Sequence, residues 1–365
     1  MIVRLKDVCI KGTSNIRQKD VNESGRYPVY GAAGPVGFMN SFQYDEPYVG
    51  VVKDGAGIGR ATYLPSNSSI IGTMQALIPK NNVLPKYLYY AVSSMHLEKY
   101  YSGATIPHIY FKNYKHERFV LVSKKEQEQI IWRFSLLEKM ISNKQQQLLK
   151  LDELIKARFV EMFGDPGIPQ NKWKNQSLKE HISVIGGYAF SSKKFSDSGI
   201  PVLRIGNINT GYFKSTNLVY WQESDTLQRY LVYPGELVMS LTGTVGKQDY
   251  GNVCILDDSY PRYYLNQRNA KIVINDAYNT IYLKETLEFP VVKQKLTGTS
   301  RGVRQANISN KDILNLTLSV PPLSLQNEFA NFVQQVDKSK FENIVYLNKT
   351  LSSKILSQIG DVIRD

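Results

Sequence analysis

Residues 123–163 constrain the fold more than any other stretch of this chain. Ser123 followed by Glu126 is a capping-box start, in which each side chain satisfies a backbone N–H that the first helical turn leaves unpaired. Ile130, Phe134, Leu137, Ile141, Leu148, Leu151, Ile155 and Met162 then fall at the steps of three and four that mark a coiled-coil seam. Gly164 and Pro166 end the pattern, because glycine tolerates a left-handed cap and proline cannot continue a helix. At 1.5 Å per residue, roughly 40 residues make a rod of about 60 Å. A second stretch, 324–363, repeats it with Phe329, Val333, Val336, Ile344, Leu347, Leu351, Ile355, Ile359 and Val362. Gln127 and Gln326 hold equivalent places, so the repeat is about 200 residues long, too long for a solenoid unit. Lys340 and Asn343 interrupt the second seam, which predicts a slip in phase or a polar pair that sets register.

The segments ahead of the rods repeat in the same order. Tyr27–Val29 corresponds to Ile200–Val202, and 48–60 (YVGVVKDGAGIGR) to 237–247 (LVMSLTGTVGK). Residues 71–79 correspond to 265–274, and the helical start at Lys86 to the one at Ile281. The chain therefore reads as a duplicated domain-plus-helix. Its expected parts are a first domain at 1–122, a central helix at 123–163, a linker at 164–172, a second domain at 173–322 and a C-terminal helix at 323–365. The expected class is α+β: two α/β domains, each followed by a long helix. The two helices are expected to pair as an antiparallel coiled coil with pseudo-two-fold symmetry. The other reading of the stripes is that each rod packs on its own domain or on another subunit's helices.

Composition narrows the partner. The formal net charge is +13, which favours a polyanion, most commonly nucleic acid. Two cysteines, Cys9 and Cys254, supply neither a disulfide framework nor a zinc site, and a reducing cytoplasmic location fits. The first residues lack an apolar signal-peptide core, and no run of about 18 apolar residues predicts a membrane span.

Catalytic patterns are sparse. DGAGIG (54–59) lacks the G-x-G-x-x-G spacing and leads into a strand rather than a helix, so it reads as a hairpin turn. GTVGK (243–247) is too short for a P-loop. The one Pro-Pro, at 321–322, follows Val320, not the Asn or Asp that a base methyltransferase needs there. The four histidines have no ligand spacing. No catalytic residue, metal site or cofactor is expected.

Contacts to DNA are the constructive expectation. Arg and Lys hold phosphates or read guanine, Gln and Asn read adenine, and Thr serves either. The first domain offers Lys53, Arg60, Gln75, Thr105, His108, Lys112 and Lys115. The second offers Arg204, Asn207, Lys247, Gln267, Arg268, Arg301, Arg304 and Gln305, densest in the loop at 300–307. The tyrosine runs 87–90 and 260–264 read as packing rather than base stacking.

Taken together, the chain resembles the DNA-specificity (S) subunits of type I restriction–modification systems. The resemblance rests on the repeated strand, turn and basic residue at 48–60 and 237–247. It rests also on the GAT and GTS loops at 103–105 and 298–300, the Gln-bearing helix starts at 125–130 and 322–329, and the FVEMFGDP…KW joint at 159–173. It covers nearly the whole chain. Two departures stand out: the first rod lacks the Pro-Pro of 321–322, and Lys172-Trp173 has no counterpart near residue 1.

The resemblance implies a non-catalytic subunit whose two target-recognition domains each read half of a split double-stranded DNA site. The helices would space the domains and dock two methyltransferase (modification) subunits. It leaves open whether restriction (endonuclease/translocase) subunits join. The competing reading is a coiled-coil adaptor that holds two protein-binding domains apart without DNA.

Overall fold

The computed structural model describes residues 1–103, 107–168, 172–247, 249–298 and 305–352. The chain folds as two contact units. One is Met1–Gln146 together with the segment from Asn343, and the other is Gln147–Glu342. Each unit therefore holds a portion of both rods.

In unit 1, a four-stranded antiparallel sheet has the order Cys9–Gly12, Met74–Pro79, Tyr48–Val52, Ala61–Leu64. Every residue of Tyr48–Val52 is buried, as befits a central strand covered on both faces. Helix Pro85–Ser93 begins on proline, whose missing N–H costs nothing in the first turn, and it buries Tyr87, Leu88, Ala91 and Val92. A smaller sheet sets Tyr27–Gly31 between Gly34–Met39 and a parallel Ser69–Ile70. DGAGIG closes a hairpin, with Val51 paired to Ala61. Its Gly59 has φ 82°, and a Cβ there would meet the Glu98 backbone N at 2.5 Å, so only glycine fits.

Unit 2 repeats this plan. Its sheet order is Ile182–Gly186, Asn269–Ile274, Leu237–Ser240, Val253–Ile255, again antiparallel. Ile200–Leu203 runs parallel to Tyr263–Leu265, as Tyr27–Gly31 does to Ser69–Ile70. Helix Thr280–Glu288 is capped by the Asn279 side chain.

The first rod, Lys124–Phe163, starts on the expected capping box. Ser123 Oγ accepts the Glu126 N–H at 3.3 Å, and the Glu126 carboxylate accepts the Ser123 N–H at 2.9 Å. Those bonds from Ser123 hold the Glu126 carboxyl below its ordinary pKa. Three residues on, each rod fastens to its own unit by the same device. Gln127, fully buried, accepts the Leu84 N–H (2.8 Å) and donates to the carbonyls of Asn82 (2.9 Å) and Val122 (3.0 Å). Gln326, on the second rod Leu323–Ser352, accepts the Asn279 N–H (2.8 Å) and donates to Ala277 (2.9 Å) and Pro321 (2.8 Å).

The rods pair antiparallel. Within unit 2, Arg158 meets Glu328 at 3.0 Å and Asp152 meets Lys340 at 2.8 Å; within unit 1, Lys144 donates to Asn343 at 2.9 Å. Numbers rise on one helix as they fall on the other. Lys340 and Asn343, polar within an apolar stripe, each have an interhelix partner, as a polar pair that sets register requires. Burial alone would lower the Lys340 pKa, but Asp152 and Asp337 more than offset this and raise it. The stripe is not one uniform seam. Phe134 stacks on Tyr90 of its own unit with ring centroids 4.2 Å apart. Phe159 and Phe163 meet Phe329 across the rods and Tyr282 of the unit 2 helix. Packing on the unit and pairing of rods thus share the apolar residues.

Tyr87, Tyr90, Tyr263 and Tyr264 are buried, as the packing reading of the tyrosine runs requires. Burial pushes the thiols of Cys9 and Cys254 up to about 12, which makes them poor nucleophiles. Among the described residues, no group of three or more His, Cys, Asp or Glu could hold a metal ion, and no helix is long and apolar enough to cross a membrane.

Candidate nucleic-acid interface

In unit 1 the sheet's connecting loops bring sequence-distant residues together. Lys53 leaves the central strand, and its carbonyl accepts the Ile109 N–H at 2.8 Å. Asp54 forms a bridge with His108 and takes a 2.6 Å hydrogen bond with its Nδ1. Both side chains stay partly open, at 27% and 34% exposed. Gly55 N–H donates to Pro107 at 2.9 Å, which clamps the glycine turn against the loop around His108. Arg60, exposed, donates to the Ala32 carbonyl and ties in the next hairpin. Lys112 lies 5.4 Å from the ring of Tyr110, itself 47% exposed. Lys53, Arg60 and His108 therefore belong to one group of loops, and Lys112 lies in the short helix Phe111–Tyr114 that follows His108.

Gln75 is placed differently. It is buried at 4% exposure, and its amide donates to the carbonyls of Gly12 and Ala76. A side chain spent on two backbone carbonyls braces the sheet; it is not presented to a duplex.

In unit 2, Arg204, Asn207, Gln267 and Arg268 line one open cavity of about 620 Å³, walled by Phe190 and Phe195. Arg204 donates to the Asn217 carbonyl. Asn207 is buried, accepts the Arg204 N–H (3.0 Å) and donates to Lys214 (2.9 Å) and Thr216 (3.0 Å), so it braces the cavity from beneath. Gln267 and Arg268 are exposed on the rim. Lys247 is exposed on the turn after Thr242–Thr244, which pairs antiparallel with Gln305–Asn307. That turn is held by Asp249, which accepts the Thr244 N–H and Oγ1–H, both at 2.8 Å; these two bonds lower its carboxyl pKa. For Gln305 the backbone position alone is described, while Thr105, Arg301 and Arg304 lie outside the described residues.

Two cation–aromatic pairs on exposed tyrosines extend the set expected from sequence, which held Lys112 but not Tyr110, Tyr212 or Lys214. Lys112 sits by Tyr110, and Lys214 by Tyr212 (59% exposed) at 5.3 Å. Each pair is spelled Tyr-Phe-Lys, at 110–112 and 212–214, at places that are not equivalent in the two domains. A basic group beside an aromatic face suits phosphate and base together.

The family model described as "Type I restriction modification DNA specificity domain" matches residues 1–153 and 170–352. Among curated relatives, the chain is 24% identical over 306 residues to the type I restriction enzyme MjaVIII specificity subunit of Methanocaldococcus jannaschii, covering 78% of this chain and 71% of that one. Among solved structures, it resembles the type I restriction–modification S subunit from M. genitalium, with TM-score 0.57, 14% identity, and 99% and 94% of the two chains covered. It resembles equally a chain from a structure of the type I R-M system concerned with complex assembly and conformational transition, with TM-score 0.56, 14% identity, and 99% and 96% covered. The doubled domain-and-rod plan and the match over both repeats lead to one conclusion: the chain belongs to the type I restriction–modification DNA specificity family, and it is a non-catalytic subunit that supplies DNA sequence specificity.

Proposed function

We propose that the two recognition domains, 1–122 and 173–322 joined through the linker 164–172, each read one half of a split double-stranded DNA site. The rods 123–163 and 323–365 would set the spacing and dock two methyltransferase subunits of a cytoplasmic complex. The observation that carries this reading is the repeated sheet, whose loops gather basic and amide side chains in each unit and which is fastened in each to one rod by a buried glutamine. Half-sites about one helical turn apart, roughly 34 Å, suit a duplicated reader. Trp132 (66% exposed) and Leu136 (45%), one helical turn apart on the first rod, support an apolar partner helix there.

Within this reading Lys53, Arg60, His108, Lys112, Arg204, Lys247, Gln267 and Arg268 face DNA, and Thr105, Arg301, Arg304 and Gln305 are DNA contacts expected from the sequence alone. Methylome sequencing with and without this gene tests it. A split motif that disappears with the gene is the expected result, and a continuous or unchanged motif overturns it. Arg301→Ala and Arg304→Ala should each relax only the half read by the second domain, at about 1–3 kcal/mol per lost base contact. Binding should weaken steeply with salt as counterions are released, whereas a protein-only adaptor would show no such slope.

A further inference from the structure

The turn joining Tyr263–Leu265 to Asn269–Ile274 has its backbone engaged throughout. Gln267 N–H donates to Tyr188 at 2.9 Å, Asn269 N–H to Asn266 at 2.9 Å, and the Arg268 carbonyl accepts the Leu241 N–H at 2.8 Å. Asn269, fully buried beneath, donates to the Leu203 carbonyl at 2.7 Å. The outward side chains behave otherwise. The Gln267 and Arg268 side chains are exposed and form no hydrogen bond among the described residues, while the Arg268 backbone N–H donates to Asn266 Oδ1 at 3.3 Å.

Unit 1 contains the same turn. Gly72 N–H donates to Ile16 at 2.7 Å, Met74 N–H to Ile71 at 3.0 Å, and the Thr73 carbonyl accepts the Lys53 N–H at 3.0 Å. Gly72 thus occupies the place of Gln267, and Thr73 that of Arg268. The backbone frame repeats bond for bond, while the two side chains it displays change completely. Outward positions that differ on a fixed frame suit a reader that must recognise different bases in each half. The backbone frame is ordered on folding, so only the two side chains remain to be ordered on binding.

We propose that Gln267 and Arg268 are specificity-determining residues of the second domain. Gln267 engages an adenine through N6 and N7, and Arg268 a guanine through O6 and N7, at neighbouring base pairs of its half-site. The first domain, with Gly72 and Thr73 in these places, has no such purine reader. The proposal rests on the reading of each domain as a half-site reader.

The complex of this subunit with its modification partner is measured on duplexes carrying every single substitution in the second half-site, and by methylome sequencing. Arg268→Ala should lose discrimination at one G·C pair by roughly 5- to 150-fold, and Gln267→Ala at a neighbouring A·T pair by a similar factor. Arg268→Lys keeps the charge and loses the two-pronged contact, so it should relax the same G·C pair while affinity for unrelated DNA and the salt slope stay unchanged. Unchanged discrimination at every position, or weakening that is uniform across sequences, would overturn the proposal and mark a phosphate contact or a bystander. If the wild-type complex has no split motif, the half-site reading itself fails. If the motif is split and these variants leave it intact, this assignment alone fails.

Discussion

Gln127 and Gln326 show what a single buried amide does here. Each satisfies three backbone groups at the joint where sheet, helix and rod meet. Gln326→Ala would leave the Asn279 N–H and the Ala277 and Pro321 carbonyls without partners in a site closed to water. We expect a loss of about 3 kcal/mol in denaturant unfolding, and Gln127→Ala should match it in unit 1. Asp249 gives a pH signature at the same scale. Its folded carboxyl pKa lies below the ordinary 3.8, because Thr244 donates two hydrogen bonds to the ionised form. The stability it adds is therefore complete above about pH 5 and is lost as pH falls below 3.8 through the depressed folded value. The stability difference between wild type and Asp249→Asn should be flat near neutrality and shrink in acid. A difference constant down to pH 2 would show that Asp249 does not hold the turn.

At the scale of elements, the polar rungs within the paired rods matter more than their count suggests. Lys340 and Asn343 give up apolar contact to meet Asp152 and Lys144. Replacing both by leucine should raise the melting temperature but permit other helix registers, seen as mixed oligomers in light scattering. A single species would argue against a register role. The rods were legible in the sequence because a capping box and a 3.5-residue period are local signals. The repeat was legible too, since its strands recur in order. What escaped was the orientation of individual polar side chains. Gln75 and Asn207 have the composition of base readers, yet both are turned inward onto carbonyls. Nothing in residue type separates an amide that braces a sheet from one that faces outward. The segments 71–79 and 265–274 were matched in the sequence, but the shared turn that sets Gly72–Thr73 where Gln267–Arg268 stand was not legible, because it lies in backbone hydrogen bonds and the four residues share no chemistry.

At the scale of the whole molecule, the proposed ruler has a length test. Seven residues inserted at matched places in both rods add about 10 Å, or about three base pairs at 3.4 Å each. The methylated motif should keep both half-sites and gain unread pairs between them. An unaltered spacer would reduce the rods to a docking surface. The division of the chain also has a consequence in time. Unit 2 is one continuous run, Gln147–Glu342, whereas unit 1 is assembled from residues on either side of it. At roughly 5–20 residues per second, translation needs about 10–40 s to cross that run. During synthesis the first domain is made early, yet its rod stands without its mate until the run Gln147–Glu342 has been made. Unit 2 can therefore close from one uninterrupted run, whereas unit 1 is complete only once the segment from Asn343 follows it, so unit 1 is expected to be the half that waits longer in a partly built form.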